Sequence, residues 1–353
     1  MTGPLTGPVT APAINLASRA LGATVMAAND ESFGAKESLV VDTPAVLDPG
    51  RYHHAGEIVD GWETRRRRFD PGADWALVRL GAPGVIRSVD VDTSHFTGNY
   101  PTHAVVEACA VPGYPDPAHV LAHGAWRTVV PRSPLAGDAS NVFAVDDPAL
   151  ATHVRLSVEP DGGVARLRVL GDAVPDPTLL DGLTVDLLAR ALGGVALASS
   201  DDFYTRAEVL NAPDTPRTMG EGWETRRRRD GGHDWVVFRL AAPGRPLAAE
   251  VDTRYFVHNA SREVALWGKS VVGDDPHDDP HDDPHEGGWE PLLPRTSLQP
   301  DTRHVFRLLD APEVVAVRLD AHPDGGLARL RLPGVITPTG RRFLQARRIA
   351  TGG

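Results

Sequence analysis

The chain has 353 residues, of which 41% are hydrophobic and 24% charged, so its composition fits two soluble globular domains and excludes a disordered or membrane-spanning protein. A net charge of −11 repels phosphate groups, which argues against nucleic acid and anionic membranes as partners. The single cysteine, Cys109, excludes an internal disulfide and a multi-cysteine zinc site. With no signal-peptide pattern, we expect a cytoplasmic protein whose one thiol is a buried apolar residue.

An internal repeat organises the chain. The block Asp60-Gly-Trp-Glu-Thr-Arg-Arg-Arg-Arg68 returns, with one change, as Glu221-Gly-Trp-Glu-Thr-Arg-Arg-Arg-Arg229, 161 residues later. Other pairs keep the same order, and they run from Asp74-Trp75 with Asp234-Trp235 to Pro160-Asp-Gly-Gly163 with Pro323-Asp-Gly-Gly326. One module has therefore been duplicated. We place the copies at 15–172 and 184–335, with tails at 1–14 and 336–353.

Each module is predicted to be a β-sandwich or jelly roll. Apolar and polar residues alternate with period two in segments 75–80, 85–91, 104–110, 152–158 and 164–170. Glycine and proline, 66 residues together, divide the chain at short intervals. The main helix is predicted at 184–192, since Gly193-Gly194 follows it as a stop signal.

The arginine run is the strongest local feature. On an extended strand Arg65 and Arg67 would share one face, and Arg66 and Arg68 the other. A basic run of this kind is most often a solvated or salt-bridged strand. Because both copies keep the block while diverging elsewhere, we favour an anion site, in which arginine binds a carboxylate and Glu63 transfers a proton. Glu224, Arg226 and Arg228 are the equivalents in the second copy.

The segment 91–101 forms a second candidate, because it concentrates polar groups in a turn after a predicted strand. His95 is a candidate base, although a lone histidine is often structural. Asp92 and Asn99 either bind substrate or cap the turn. The second copy has Tyr255 in place of His95, so the two copies are not equivalent here.

Two acidic features receive weaker interpretations. The segments 27–34 and 198–204 each carry two acids that could bind a cation, but surface turns are the default. The threefold Asp-Asp-Pro-His array at 274–285 is treated as a loop with adventitious metal affinity, and no metal site is assigned. Phosphate-binding loops, nucleophile elbows and HExxH motifs do not occur in the sequence.

These residues together resemble the allantoicase family, which has two repeats that each carry the Asp-Gly-Trp-Glu-Thr-Arg-Arg-Arg-Arg block. The resemblance extends from Asn15 to about Val335 and includes 84–93, 95–101, 293–296 and both Pro-Asp-Gly-Gly segments. It implies tandem jelly rolls of galactose-binding-like type. One departure is Ala73, where the family usually has histidine, as at His233 of the second copy.

The resemblance also implies an activity: a hydrolase of linear amidine C–N bonds that converts allantoate to (S)-ureidoglycolate and urea in allantoin and purine catabolism. Homo-oligomers and divalent-metal activation are associated with the family, so we expect a homo-oligomer and leave the cofactor open. On this basis Arg65 and Arg67 are assigned to the substrate carboxylate, Glu63 to proton transfer, and His95 with Asn99 to the ureido group or water.

Two other interpretations compete. Tandem galactose-binding-like modules also occur as ligand-binding proteins without catalysis, but such a protein has no need of paired Glu-Thr-Arg blocks. In the other interpretation the altered second copy serves assembly only. Separate mutation of Arg65 and Arg226 distinguishes them.

Overall fold

A computed structural model of the chain describes residues 13–352 except 51, 55, 70 and 271–287. The Asp/His array at 274–285 therefore lies outside the described residues. The chain divides into two compact units. One unit comprises Ala13–Pro175 with Arg347–Gly353, and the other contains Asp176–Ala346. Each unit holds one copy of the repeat.

The first repeat is built almost entirely of strands, as its alternating segments predict. These are β1 (Ile14–Asn15), β2 (Thr24–Ala28), β3 (Tyr52–His53), β4 (Gly56–Glu57), β5 (Trp62–Glu63), β6 (Asp74–Asp92), β7 (His103–Cys109), β8 (Arg127–Pro134), β9 (Ser140–Ala144), β10 (Leu150–Glu159), β11 (Gly163–Val164) and β12 (Arg166–Ala173). All pairings are antiparallel.

One long strand joins the two layers of this repeat. The first half of β6 pairs with β2 and β10, whereas its second half pairs with β9 and β12. Strands β10, β7 and β8 extend one layer, and β1 extends the other. Aliphatic side chains of both halves of β6, such as Val78 and Val89, are fully buried. The result is a curled antiparallel sandwich with its core between the layers.

The second repeat follows this plan, but two of its strands are interrupted and its described residues have no counterpart of the β3–β4 pair. Its strands are β13 (Val185–Asp186), β14 (Val195–Ser199), β15 (Trp223–Glu224), β16 (Asp234–Pro246), β17 (Ala248–Asp252), β18 (Glu263–Lys269), β19 (Trp289–Ser297), β20 (Arg303–Arg307), β21 (Val314–His322), β22 (Gly326–Leu327), β23 (Arg329–Arg331) and β24 (Pro333–Ile336). Where the first repeat has the continuous β6, the second has β16 and β17. Pro246 lacks an N–H and ends the first of them.

Helices are few and short in the described residues. They are α1 (Pro117–His123) and α2 (Pro338–Ala350), with 3₁₀ turns at Lys36–Val40, Pro177–Leu180, Arg190–Leu192, Ala207–Asn211 and Met219–Glu221. The helix predicted at 184–192 was wrong. Residues 185–186 pair with β24, and the Asp186 carboxylate accepts the N–H groups of Leu188 and Leu332, so strand pairing overrides the helical pattern.

Two further sequence predictions can be compared with the structure. Cys109 is buried, and burial raises the pKa of its thiol to about 11, so it is the inert apolar residue that we expected. None of the described helices combines the length and apolar character needed to cross a bilayer.

Candidate active site

Strand β5 positions the central carboxylate of the first repeat. Trp62 and Thr64 are buried, while the side chains of Glu63 and Arg65 lie on the more open side. The indole N–H of Trp62 donates to the Asp30 carbonyl at 2.8 Å, and Thr64 Oγ1 accepts the Gly162 N–H at 3.1 Å. These contacts anchor the strand on both sides of Glu63, so the backbone that carries the Glu63 side chain is held in place.

Glycine is required beside this strand for lack of space. A Cβ at Gly61 would lie 2.7 Å from the ring of Phe96, and one at Gly163 would lie 2.1 Å from the same ring. The second repeat shows the same constraint, since a Cβ at Gly222 would lie 2.5 Å from Phe256. The glycine of the repeated block is thus explained by packing.

Glu63 has the environment of a proton-transfer group. Its Oε1 accepts a hydrogen bond from Nδ2 of Asn99 at 2.7 Å. Burial raises the pKa of the Glu63 carboxyl above its ordinary value, although the Asn99 hydrogen bond and the charge of Arg66 act in the opposite direction. A carboxyl with a raised pKa retains its proton at a higher pH than an exposed glutamate, which suits acid–base chemistry.

The arginines of the block have three different environments. Arg65 is largely exposed, and its Nε lies 3.1 Å from Asp30 Oδ2. Arg67 donates from Nε and Nη2 to Oδ1 of the buried Asp74, at 2.9 and 2.7 Å. Arg66 is exposed and acts electrostatically on Glu63. In the described part of the chain, no hydrogen bond or ion pair is found for the Arg66 side chain.

This arrangement differs from the one expected for an extended strand. Because β5 ends at Glu63, the arginines follow an irregular path in which Arg67 faces a buried aspartate. The backbone N–H of Arg67 also donates to Oδ2 of Asp161, at 2.6 Å. Arg67 therefore stabilises the repeat, whereas Arg66 is exposed and its charge acts on Glu63.

The 93–101 loop contributes Asn99 directly, whereas the described contacts of His95 are with other residues. His95 has a φ of 70°, its N–H donates to Asp138 at 2.8 Å, and its Nε2 lies 3.2 Å from the Ala45 carbonyl. Among the described contacts, none joins His95 to Glu63. Asp92 accepts from the N–H and hydroxyl of Ser94, which is the capping alternative.

The second repeat has the same central pair. Glu224 Oε1 accepts from Asn259 Nδ2 at 2.8 Å. Arg226 pairs with Asp201 at 2.7 Å, and Arg228 donates to the buried Asp234 at 2.7 Å. The structure therefore brings Glu224 and Asn259 together, as it does Glu63 and Asn99, while the predicted ligand-binding pair Arg226 and Arg228 is held by aspartates.

The surroundings of the two pairs differ. Near Glu224, Asn259 Nδ2 lies 3.3 Å from the sulfur of Met219, and the Arg226 guanidinium lies 5.2 Å above the ring of Phe203. Phe203 and its neighbour Tyr204 are 62% and 60% exposed. The second pair thus has the Met219 side chain beside it, and the exposed Phe203 ring lies by Arg226.

The acidic segments 27–34 and 198–204 supply partners for the arginine block. Asp30 and Asp201 hold Arg65 and Arg226, and both carboxyls also accept backbone N–H groups. Burial acts to raise the pKa of Asp30, but the N–H groups of Arg65 and Ser32 outweigh it and the pKa is lowered. These contacts explain the acids without a cation. The matched order of the segments in the two copies was the signal that could have identified them.

Neither the candidate metal-ligand group found among the described residues nor one open surface cavity includes either glutamate. Among the described residues, neither Glu63 nor Glu224 belongs to a group of three His, Cys, Asp or Glu side chains at metal-binding distance. An open surface cavity in the second repeat is lined by residues 245–247 and 307–312 and includes none of the predicted site residues.

Fold and site together define a class: a tandem β-sandwich protein in which each repeat holds a glutamate–asparagine pair beside an arginine run. Residues 14–174 and 185–337 match the family model described as the allantoicase repeat. The chain therefore belongs to the allantoicase family, as its resemblance implied.

Individual relatives agree with this assignment. A probable allantoicase from Streptomyces coelicolor is 46% identical over 350 residues, which cover 96% of this chain and 90% of that protein. A probable allantoicase from Nocardia farcinica is 48% identical over 321 residues, which cover 91% of this chain and 93% of that protein. The crystal structure of allantoicase from Saccharomyces cerevisiae has 28% identity and a TM-score of 0.73, covering 91% of this chain and 93% of that one. The predicted all-β tandem fold is confirmed.

Proposed function

We propose that this chain hydrolyses allantoate to (S)-ureidoglycolate and urea, a step of purine catabolism, and that the reaction takes place at Glu63 in the first repeat. Family membership supplies the reaction. One observation carries the choice of site: the Glu63 carboxyl has a raised pKa, is held by Asn99, and has a cationic neighbour, Arg66.

The reaction sets clear requirements. Allantoate carries a carboxylate and two ureido groups on one carbon. One C–N bond breaks, the departing nitrogen takes up a proton, and the lone pair of the remaining ureido nitrogen gives an imine-like intermediate. Water then adds to that carbon and releases a proton, so allantoate and water give ureidoglycolate and urea. The site must supply one acid–base group and one anion-binding group.

Glu63 is assigned both proton transfers. In its protonated form it donates to the departing urea nitrogen, and as a carboxylate it then accepts the proton of the attacking water. Burial favours the protonated form, while Asn99 and Arg66 stabilise the carboxylate, so both forms are accessible. Asn99 also fixes the direction of the carboxylate, since its amide lies 2.7 Å from Oε1.

The substrate carboxylate is assigned to Arg66, with Arg65 beside it. Arg66 is exposed and near Glu63, and Arg65 is 75% exposed and pairs with Asp30 through Nε. A guanidinium binds a carboxylate through two parallel N–H donors. Arg67 is given a stabilising role because Asp74 occupies its donors.

His95 remains a candidate for the ureido group or for water activation. Its left-handed backbone, at a φ of 70°, is uncommon for a residue other than glycine and is repeated at Tyr255. His95 and Tyr255 thus share a backbone conformation although their side chains differ. We infer that this loop position presents its side chain for binding. Asp92 is assigned to capping that loop.

The second repeat is proposed to hold a weaker site of the same kind. Glu224 keeps its asparagine partner, but Tyr255 replaces His95 and the Met219 sulfur lies beside Asn259. We assign most of the turnover to the first repeat and retain Glu224, Arg226 and Arg228 as its counterparts.

The experiment is urea release from allantoate by the purified full-length protein, with Glu63→Gln and Glu224→Gln as matched variants. The wild type is expected to turn over, the first variant to lose at least about 100-fold, and the second to keep most of its activity. Circular dichroism checks that each variant folds. No urea release by folded wild-type protein would contradict the proposed reaction. A fully active Glu63→Gln variant would contradict the site alone.

The cellular setting is also part of the proposal. A single buried thiol and the net charge of −11 support a cytoplasmic enzyme of a small substrate, without nucleic-acid or membrane partners. We propose a homo-oligomer with repeat boundaries at 15–172 and 184–335. Sedimentation equilibrium tests the oligomeric state.

A further inference from the structure

Strand register in the second repeat gathers three side chains of the kind that bind transition metals. On β21, Asp320 and His322 lie two residues apart and so share one face. In the β16–β21 ladder, Trp235 is opposite Asp320 and Asp234 is opposite Ala321. His233, one residue before β16, is therefore carried to the end of the ladder beside His322.

The distances agree with this placement. His233 Nε2 lies 3.4 Å from Asp320 Oδ1, and the rings of His233 and His322 are 4.5 Å apart at an angle of 37°. One ligand atom from each residue lies within 4.8 Å of the others. Ligands bonded to one ion at about 2.0–2.2 Å are separated by roughly 3–4 Å, so small ring rotations would close the triad.

Neighbouring groups hold the carboxylate in place. Asp320 is 4% exposed, its Oδ1 accepts from Arg318 Nε at 2.7 Å, and its Oδ2 accepts from Trp267 Nε1 at 2.9 Å. Each oxygen keeps a further lone pair. Outer hydrogen bonds of this type orient the carboxylate ligands of metal sites. The positive charge of Arg318 repels a bound metal ion and lowers the affinity of the site for it.

The histidine at the start of the ladder is also positioned. The His233 carbonyl accepts from Arg228 Nη1 at 3.1 Å, which ties this residue to the arginine block. Its Nε2 is buried, lacks a hydrogen bond of regular geometry among the described residues, and lies 3.4 Å from the Asp320 carboxylate. A neutral His233 imidazole in this position, beside a carboxylate and a second imidazole, can serve as a metal ligand.

We propose that His233, Asp320 and His322 bind one divalent transition-metal ion of the Zn²⁺, Co²⁺ or Ni²⁺ class. Two imidazoles and one carboxylate suit these ions, and water completes the coordination. The site lies outside the glutamate–asparagine pairs, so it does not depend on the proposed reaction. Its direct effect is to clamp the start of β16 to the end of β21.

The first repeat provides a natural comparison. Its corresponding residues are Ala73, Ser157 and Glu159, which form no such triad. The histidine and the glutamate exchange strands between the repeats. In the first repeat His103 on β7 is opposite Glu159 on β10, and in the second Glu263 on β18 is opposite His322 on β21. Alanine at the position of His233 is thus already tolerated by the fold.

The test must separate this triad from the histidines of the 274–285 array. The parent protein is the full chain with His277, His281 and His285 replaced by asparagine, stripped with chelator and titrated with Co²⁺ alone. Calorimetry and visible absorption report binding, and thermal unfolding reports stabilisation. We expect one equivalent of Co²⁺ with nitrogen-ligand absorption bands, and a rise in Tm, since a ligand bound to the native state stabilises it.

Matched variants decide the assignment. His233→Ala and His322→Gln are each expected to weaken Co²⁺ binding at least about tenfold and to abolish the rise in Tm, whereas His103→Ala in the first repeat leaves both unchanged. The proposal is overturned if the parent does not bind, which would assign any wild-type binding to the array. It is equally overturned if folded His233→Ala protein binds as the parent does.

Discussion

The two repeats differ less in their supporting contacts than in what surrounds their central glutamates. Each has a buried tryptophan bonded to an aspartate carbonyl, a threonine bonded to a Pro-Asp-Gly-Gly turn, and an arginine on a buried aspartate. In the surrounding loops, by contrast, His95 is replaced by Tyr255, and the Met219 sulfur lies 3.3 Å from the Asn259 amide in the second repeat.

This difference separates two reasons for keeping a residue. Gly61, Trp62, Thr64 and Arg67 have structural partners that any copy of the fold needs. Arg66 has no such partner among the described residues, yet Arg227 stands at its position in the second copy. The described contacts give no packing reason for this retention, and the sharpest experiments therefore compare matched positions in the two repeats.

The largest expected effect is on turnover. Glu63→Gln should lower kcat by about 100- to 10,000-fold, because the amide can neither donate nor accept the proton in the same way. Glu224→Gln should keep more than half of the activity. Steady-state urea release measures both variants. Equal losses in the two variants would show that the repeats contribute equally, against the proposed asymmetry.

The next effect is on stability and compares two arginines of one block. Arg67→Ala leaves the buried Asp74 without its cation, which costs about 3–5 kcal/mol. Arg65→Ala removes an arginine that is 75% exposed and leaves Asp30 with its backbone N–H donors, so it should cost about 0–1 kcal/mol. Guanidinium chloride unfolding followed by tryptophan fluorescence gives the free energy of unfolding. Similar values for both variants would mean that Asp74 finds another partner.

These contacts also show how far sequence could lead. The duplication and the period-two segments were enough to predict two tandem β-sandwiches, since both patterns are visible in the sequence without knowledge of any tertiary contact. The partner of Arg67 was not predictable from alternation, because the chain leaves the strand after Glu63 and the pairing with Asp74 depends on the path of that turn. The helix predicted at 184–192 failed for a similar reason, since pairing with β24 is a long-range contact.

The site was predictable in part. Glu63 and Asn99 were both chosen from sequence, and they are 36 residues apart yet in direct contact. Arg66 was not among the predicted binding residues, because alternation on an ideal strand grouped Arg65 with Arg67. The His233–Asp320–His322 triad was also missed, since its members are 87 and 2 residues apart and only the ladder register brings them together.

A smaller effect is expected on substrate binding. Arg66→Ala removes the proposed carboxylate ligand and should raise KM for allantoate about 10- to 100-fold, the range expected for losing a hydrogen bond to a charged group. Arg227→Ala is the matched control and should leave KM within about twofold. An unchanged KM in the Arg66→Ala variant would contradict this assignment and leave Arg65 as the ligand of the substrate carboxylate.

The smallest effect is a shift in pH dependence, and its direction is fixed by the hydrogen bond to Glu63. Asn99 donates to the carboxylate and so lowers its pKa against the effect of burial. Asn99→Ala removes the donor, and the pKa of Glu63 should rise further. If Glu63 limits the reaction as an acid, the alkaline limb of kcat/KM moves to higher pH, and if it limits as a base, the acidic limb does. Either limb moves upward, whereas Asn259→Ala should move neither. A downward shift would mean that the asparagine stabilises the protonated carboxyl, against its assignment as a donor to the Glu63 carboxylate.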